Sequence, residues 1–236
     1  MLYKMSEITK IKNLINLIGS QDTYRNQDDI RSITVHSLFQ VTQSFLFSKI
    51  LATKLADIKY CKENISTNIE NDDLETLQFN FDGFSNNAFF INYFVHIENH
   101  IRQLAMNYEN LQRKINVTSI TRTFKNLMDT NKVTLFQEIT ERDYQLFESY
   151  CFIRNTMHNV GFQTKETKSI TVLDENSVVD KSTVEIKLDE NRPASVSSEK
   201  ILLINEQIFK LILKINSLTP ESDFIKHRFS DIGFNQ

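Results

Sequence analysis

Four glycines and two prolines are spread over 236 residues, against usual shares of roughly 7% and 5%. A chain so poor in chain-reversing residues has few tight turns and little backbone for a glycine-rich phosphate loop. The expected fold is therefore mostly α: a helical bundle with a small β-hairpin inserted before the last long helix. Rossmann and P-loop sites, which bring backbone N–H groups close to phosphate through glycines, are disfavoured. With 40% apolar and 24% charged residues, a chain of this length can bury a sizeable core.

Hydrophobic spacing sets the expected elements. Ile8, Ile11, Leu14, Ile15 and Ile18 recur at steps of three and four, which predicts an amphipathic helix over 4–18 that Gly19 can end. After the polar run SQDTYRNQDD, a long helix is expected from Ile30 to about Lys62, with Asp28 or Asp29 as its cap. The stretch ENISTNIENDDLETLQFNFDGFSNN is polar and acidic, and reads as a surface connection with a short strand or turn at Asp82 and Gly83. Over 87–115, Phe90, Phe94, Ile97, Ile101, Leu104, Tyr108, Leu111 and Ile115 predict a helix packed along its whole length.

A shorter helix follows around Ile120, Phe124 and Leu127, capped by Thr118 or Ser119. The next is expected to begin at the Thr140/Asp143 pair and reach about His158, with Asn159 and Gly161 as its stop. KSITVLDENSVVDKSTVEIKL alternates polar and β-branched residues and predicts strands at roughly 168–173 and 183–188. A last helix, 198–218, precedes Pro220. Its density of aliphatics suits a core helix, with an interface as the alternative, and Asn205, Glu206, Gln207, Lys210 and Lys214 are read as its polar side. The organisation is thus an N-terminal helix and linker (1–29), a main helical domain (30–218) and a tail (219–236).

The net charge of −3 supplies no global attraction to nucleic acid or to an anionic membrane, so any phosphate site must be local. Cys61 and Cys151 fall far apart within apolar helical patterns and read as buried thiols in a reducing cytoplasm. No signal-peptide h-region and no run of about 20 apolar residues is present, which leads to the expectation of a cytoplasmic protein with no membrane contact.

The sharpest polar feature is CFIRNTMHNVGF, residues 151–162. Arg154 and His158 are four apart and project to one side of a helix. A guanidinium can clamp a phosphate through two hydrogen bonds, and an imidazole titrating near neutrality can carry a proton during RNA cleavage. The same residue types also suit a helix end, where His meets the negative end of the dipole and Arg and Asn bond to free carbonyls.

FIRNTMHNVGF, following an amphipathic helix and preceding a hairpin, resembles the HEPN superfamily, as does FFINYFVHIENHIRQLA upstream, where Glu98 and Arg102 stand at i and i+4. The resemblance covers about residues 30–218. It implies an all-α bundle, usually a homodimer, whose two Arg/His motifs form one composite RNA-cleaving site without metal or cofactor. Carried onto this chain, Arg154 and His158 would be catalytic, with Asn155, Asn159, Glu98 and Arg102 in binding roles. It further implies an effector of a toxin or defence system, with RNA as substrate and an antitoxin or other protein as a further partner. Active members usually place four to six residues between Arg and His, and here Asn155, Thr156 and Met157 make three. That departure keeps two alternatives open: a non-catalytic HEPN-like dimerisation module binding RNA or a nucleotide, and an unrelated helical interaction protein.

The remaining candidates carry less. His96 and His100 have the spacing of a helical metal pair, but no third ligand is evident and the order H-I-E-N-H is not the zincin motif, so they read as a solvated helix face. The acidic run NDDLE (71–75) reads as a solvated loop. KHRF (226–229) is a small basic patch. Cys151 and His158 are two helical turns apart, roughly 10 Å, which is too far for a thiol nucleophile and its base.

Overall fold

A computed structural model describes residues 2–21, 26–107, 119–129, 133–158, 166–191 and 196–226, with the side chains of residues 2–5 and 158 outside that description. The elements are α1 (Leu2–Gly19), α2 (Ile30–Ala52), a 3₁₀ turn (Thr53–Ala56), α3 (Ile58–Asn64), α4 (Asn71–Asn107), α5 (Ile120–Leu127), α6 (Glu141–His158), β1 (Lys168–Val172), β2 (Val184–Leu188) and α7 (Ser198–Leu218). The architecture is the expected one, a helical bundle with a two-stranded hairpin before the last helix.

α7 is the axle of the bundle. Ile201, Ile204, Ile208, Leu211 and Ile215 form its apolar stripe, and Leu202, Leu203, Phe209 and Ile212 are buried as well, so the helix is buried nearly all round, as a core helix is. Around it α1, α2, α4 and α6 contribute to one continuous core that includes Leu14, Leu38, Phe90, Ile97, Tyr150 and Ile153. Asn205 and Glu206, expected on a polar side of α7, are instead fully buried. The Glu206 carboxylate accepts hydrogen bonds from Ser177 Oγ (2.7 Å), Val178 N (2.9 Å) and Val179 N (3.1 Å). It therefore serves as an internal anchor for the loop joining the two strands.

Several boundaries follow from identifiable caps. Asp29 caps α2, accepting from Arg31 N at 2.8 Å. Thr140 and Asp143 bond each other's backbone reciprocally at the start of α6, at 2.7 and 3.2 Å, the expected capping box. Ser119 and Ser197 cap α5 and α7. The hairpin pairs antiparallel with Lys168 opposite Leu188 and Val172 opposite Val184.

Two stretches differ from expectation. The long helix from Ile30 ends at Ala52, because Asp57 caps a new one, accepting from Lys59 N (2.9 Å) and Tyr60 N (3.2 Å). Residues 65–70 do form a connection, but from Asn71 on the presumed surface stretch is instead the first half of α4. Asp73 reaches back to Glu70 N at 2.8 Å, and Asp72 and Asp73 favour the positive end of the dipole. Leu74 packs with Cys61 and Ile69 in a small satellite cluster, and Asp82 pairs with the buried Lys49 of α2 at 3.2 Å. Gly83 is carried within the helix. The expected continuation through Tyr108, Leu111 and Ile115 lies outside the described residues.

A buried polar node ties the C-terminal segment to the bundle. Arg31, 1% exposed, donates through Nε and Nη2 to the two Asp29 carboxylate oxygens, both at 2.9 Å. Its remaining donors reach the carbonyls of Thr219, Pro220 and Asp223. Asp29 also accepts from Ile225 N at 3.2 Å.

Candidate functional site

α6 and α4 meet along a seam of aromatic rings. Tyr150 of α6 lies 4.8 Å from Phe90 and 5.3 Å from Phe94, centroid to centroid, and all three are essentially buried. These contacts fix how α6 is turned on its axis. One turn beyond Tyr150, Arg154 emerges half-buried at the rim, its guanidinium carbon 5.6 Å from the centre of the Phe94 ring. Such a cation over an aromatic face gains about 0.5–1 kcal/mol at an exposed site, enough to orient the side chain without discharging it. Arg154 Nη1 donates to Asn155 Oδ1 at 3.2 Å.

The α4 side of the seam supplies Glu98 and Arg102, one and two turns after Phe94. Arg102 donates through Nε (2.9 Å) and Nη2 (2.7 Å) to Glu98 Oε1, and about a quarter of each side chain is exposed. Between the two helices sits Cys151. Burial pushes its thiol pKa far up, the Glu98 carboxylate pushes it further, and Arg154 and Arg102 partly oppose this. Glu98 and Arg102 follow, by one and two turns, the Phe94 ring that lies beneath Arg154, and all three charges act on this one thiol. The same burial keeps Cys151 a protonated, structural thiol.

The structure therefore brings Arg154, Asn155, Glu98 and Arg102 to one seam. His158 closes α6 one turn after Arg154 on the same side of the helix; its side chain, like Asn159 and the stop at Gly161, lies outside the described residues. Thr156, within the motif, is 3% exposed and donates to Phe152 O at 2.9 Å; it holds the last turn of the helix. On the far side of α6, Lys168 of β1 pairs with Glu148 at 3.2 Å and lies 5.3 Å from the Phe152 ring. Phe94 and Lys168 are the contributions that sequence reading missed. Phe94 belongs to a stripe that reads as plain core, and nothing local ties it to a residue 60 positions on.

No protein-family model matches the chain, and neither curated proteins nor solved structures yield a match. The seam's chemistry must be argued from its own residues. Among the described residues, Arg102 is matched by Glu98, whereas Arg154 is held by a ring and an amide, neither of which neutralises it. The rim of the seam consequently carries a positioned positive charge, beside the C-terminal end of α6.

The pair His96 and His100 is not a solvated face. His100 is fully buried, its Nδ1 3.0 Å from Thr34 Oγ1, and burial depresses its pKa to about 4. His96 is half-buried and its pKa is lowered by the same cause. Among the described residues, no group of three or more His, Cys, Asp and Glu side chains is arranged to hold a metal ion. Among those residues, too, no helix is long and apolar enough to cross a membrane.

Proposed function

We propose that the α4/α6 seam binds an RNA phosphate and that the protein is a HEPN-like, metal-independent endoribonuclease of a toxin or defence system, acting as a homodimer. The observation that carries this reading is Arg154: a guanidinium oriented by the Phe94 ring at 5.6 Å and by Asn155 at 3.2 Å, and not met by a carboxylate among the described residues. In this role Arg154 binds the scissile phosphate and offsets the charge that builds on its oxygens. Asn155 and Asn159 orient it, and the Glu98–Arg102 pair steadies the α4 wall. His158 moves the proton. As the ribose 2′-hydroxyl attacks phosphorus, its proton passes to a base, the P–O5′ bond breaks, and the departing 5′-oxygen takes a proton. The products are a 2′,3′-cyclic phosphate and a 5′-hydroxyl.

The test is cleavage of a fluorescent RNA in excess EDTA. Wild-type protein is expected to cleave, while Arg154→Ala and His158→Ala each lose activity by about 10²-fold or more. Undiminished cleavage by both variants would sink the proposal. A second reading, an RNA- or nucleotide-binding scaffold with no cleavage, is favoured by the spacing: only three residues separate Arg154 from His158, a single helical turn. It predicts salt-sensitive RNA binding by fluorescence anisotropy, lost in Arg154→Ala, without any product.

A further inference from the structure

Formal charge is distributed unevenly over this molecule. α2 carries two charged residues, Arg31 and Lys49, and both are turned inward. Arg31 is paired with Asp29, and Lys49, whose side chain is 5% exposed, sits between Glu7 (3.1 Å) and Asp82 (3.2 Å). What α2 offers to solvent beyond His36 is Gln40, Ser44, Phe47, Ile50 and Leu51. The adjoining part of α4, from Thr76 to Val95, has a single charged residue, Asp82, already spent in the Lys49 pair. Its solvent side includes Phe79, Asn80, Phe84, Asn87, Asn92 and Val95. In a chain with 24% charged residues, two adjacent helices thus share a face with no unpaired formal charge. Along it runs a groove of about 430 Å³, with Ser44, Ser48, Ser85 and Ala88 among its small residues and Phe81 and Phe84 at its edge. The Phe84 side chain stands out, with 72% of the residue exposed.

Depletion of charge with protruding aromatic rings marks the centre of an interface rather than a solvated surface. The chemistry of the face also selects its occupant. Across a two-fold axis a surface meets itself, so a charged group would be brought toward its own sign. Carboxamides and hydroxyls both donate and accept, so Gln40, Ser44, Asn87 and Asn92 can bond to their own copies. A nucleic acid or a strongly charged protein would find no complementary charge on this face. The dimensions suffice: about 24 Å along α4 by about 20 Å across two helices gives a projected area of ~500 Å². Side-chain relief raises this toward the roughly 800 Å² per partner of a standard interface.

We infer that the α2–α4 face is a homodimer interface in which Phe84 of each copy seats in the small-residue groove of the other. The inference gives a surface to the homodimer proposed above and rests on that reading for the assembly alone; folded variants that stay dimeric would count against this face without touching the Arg154 site. It is tested on the full chain by sedimentation velocity and light scattering over micromolar concentrations. Wild-type protein is expected to be a dimer. The double variants Ser44→Lys/Phe84→Lys and Ser44→Glu/Phe84→Glu are each expected to dissociate roughly 100-fold more readily. Because both positions are exposed, the variants should keep their helical circular dichroism and melting temperature. Mixing the Lys and Glu variants is expected to restore a dimer, which a site for a foreign partner would not do. A wild-type monomer at every concentration, or folded variants that remain dimeric, overturns the inference.

Discussion

Replacing Arg31 by Met tests whether the buried node at the start of α2 holds the C-terminal segment in place. Met fills much the same volume without charge. It leaves the Asp29 carboxylate, 2% exposed, without its counter-ion and strips donors from the carbonyls of Thr219, Pro220 and Asp223. Breaking a buried ion pair from one side costs about 3–5 kcal/mol. The carboxylate keeps two backbone donors, Arg31 N and Ile225 N, which favours the lower half of that range, while the stranded carbonyls push upward. The expected loss is about 4 kcal/mol, against the 5–15 kcal/mol typical of a whole domain. At about 3 °C per kcal/mol for a chain of this size, the melting temperature should fall by about 12 °C. Urea titration followed by circular dichroism measures the free energy. Adding Asp29→Ala to Arg31→Met should cost much less than the sum of the single changes, since the first removal already strands its partner. A loss below about 1 kcal/mol for Arg31→Met, or strict additivity in the double variant, would refute the reasoning.

Other consequences follow from the same contacts. His100 is buried neutral, with its pKa lowered from 6.5 to about 4. Between those values the unfolded chain binds the extra proton and the native one does not, so stability should fall as pH drops from about 6.5 to about 4, by up to about 3 kcal/mol from this group. His100→Gln should flatten that limb of the pH–stability curve; an unchanged limb would count against the assignment. Asp29, Asp143 and Asp174 have pKa values lowered from 3.8, each with burial opposing the bonds to Arg31, Lys214 and Lys210. Their contribution is present above that value and lost below it, a second phase of acid destabilisation. Gly83 has open space where a Cβ would stand, so Gly83→Ala should stabilise α4 by about 0.5–1 kcal/mol. At Gly19 an added Cβ would lie 2.9 Å from the Phe39 ring, and Gly19→Ala should destabilise by about 1–3 kcal/mol. Thermal melts of the two alanine variants must move in opposite directions. Cys61 and Cys151 should resist iodoacetamide in the native protein and react in urea; native labelling would contradict their burial.

What the sequence made legible was local. The Asp29 cap, the Thr140–Asp143 box and the two strands depend on residues a few positions apart, and each stands where spacing put it. The stripe from Phe90 to Leu104 is legible for the same reason, because one face of one helix is buried throughout. α4 before Ala88 was not legible: FNFDGF alternates like a strand around a glycine, and the contact that Asp82 makes is with Lys49, 33 residues earlier, which donates to it at 3.2 Å. Glu206 and His100 look like surface residues until the 177–179 loop and Thr34 are brought to them. At the candidate site, the i, i+4 relations of Arg154 with His158 and of Glu98 with Arg102 are properties of single helices. That the α4 pair and Arg154 share a seam depends on packing between helices, which periodicity does not encode.

The uncharged face and the Arg154 seam are linked through one helix. Val95, 53% exposed at the edge of the face, precedes Glu98 by three residues and Arg102 by seven, so all three lie along one side of α4. Phe94, the ring beneath Arg154, is fixed by Tyr150 and has 2% of its surface exposed. A second copy resting on the face would therefore bear on the same rigid helix that orients the guanidinium, with no loop between them to absorb a displacement. This makes the Phe84 variants informative about chemistry as well as assembly. If the site is composite, a monomeric variant loses RNA cleavage while its Arg154 surroundings stay intact; if each seam is self-sufficient, the monomer cleaves at the wild-type rate per chain.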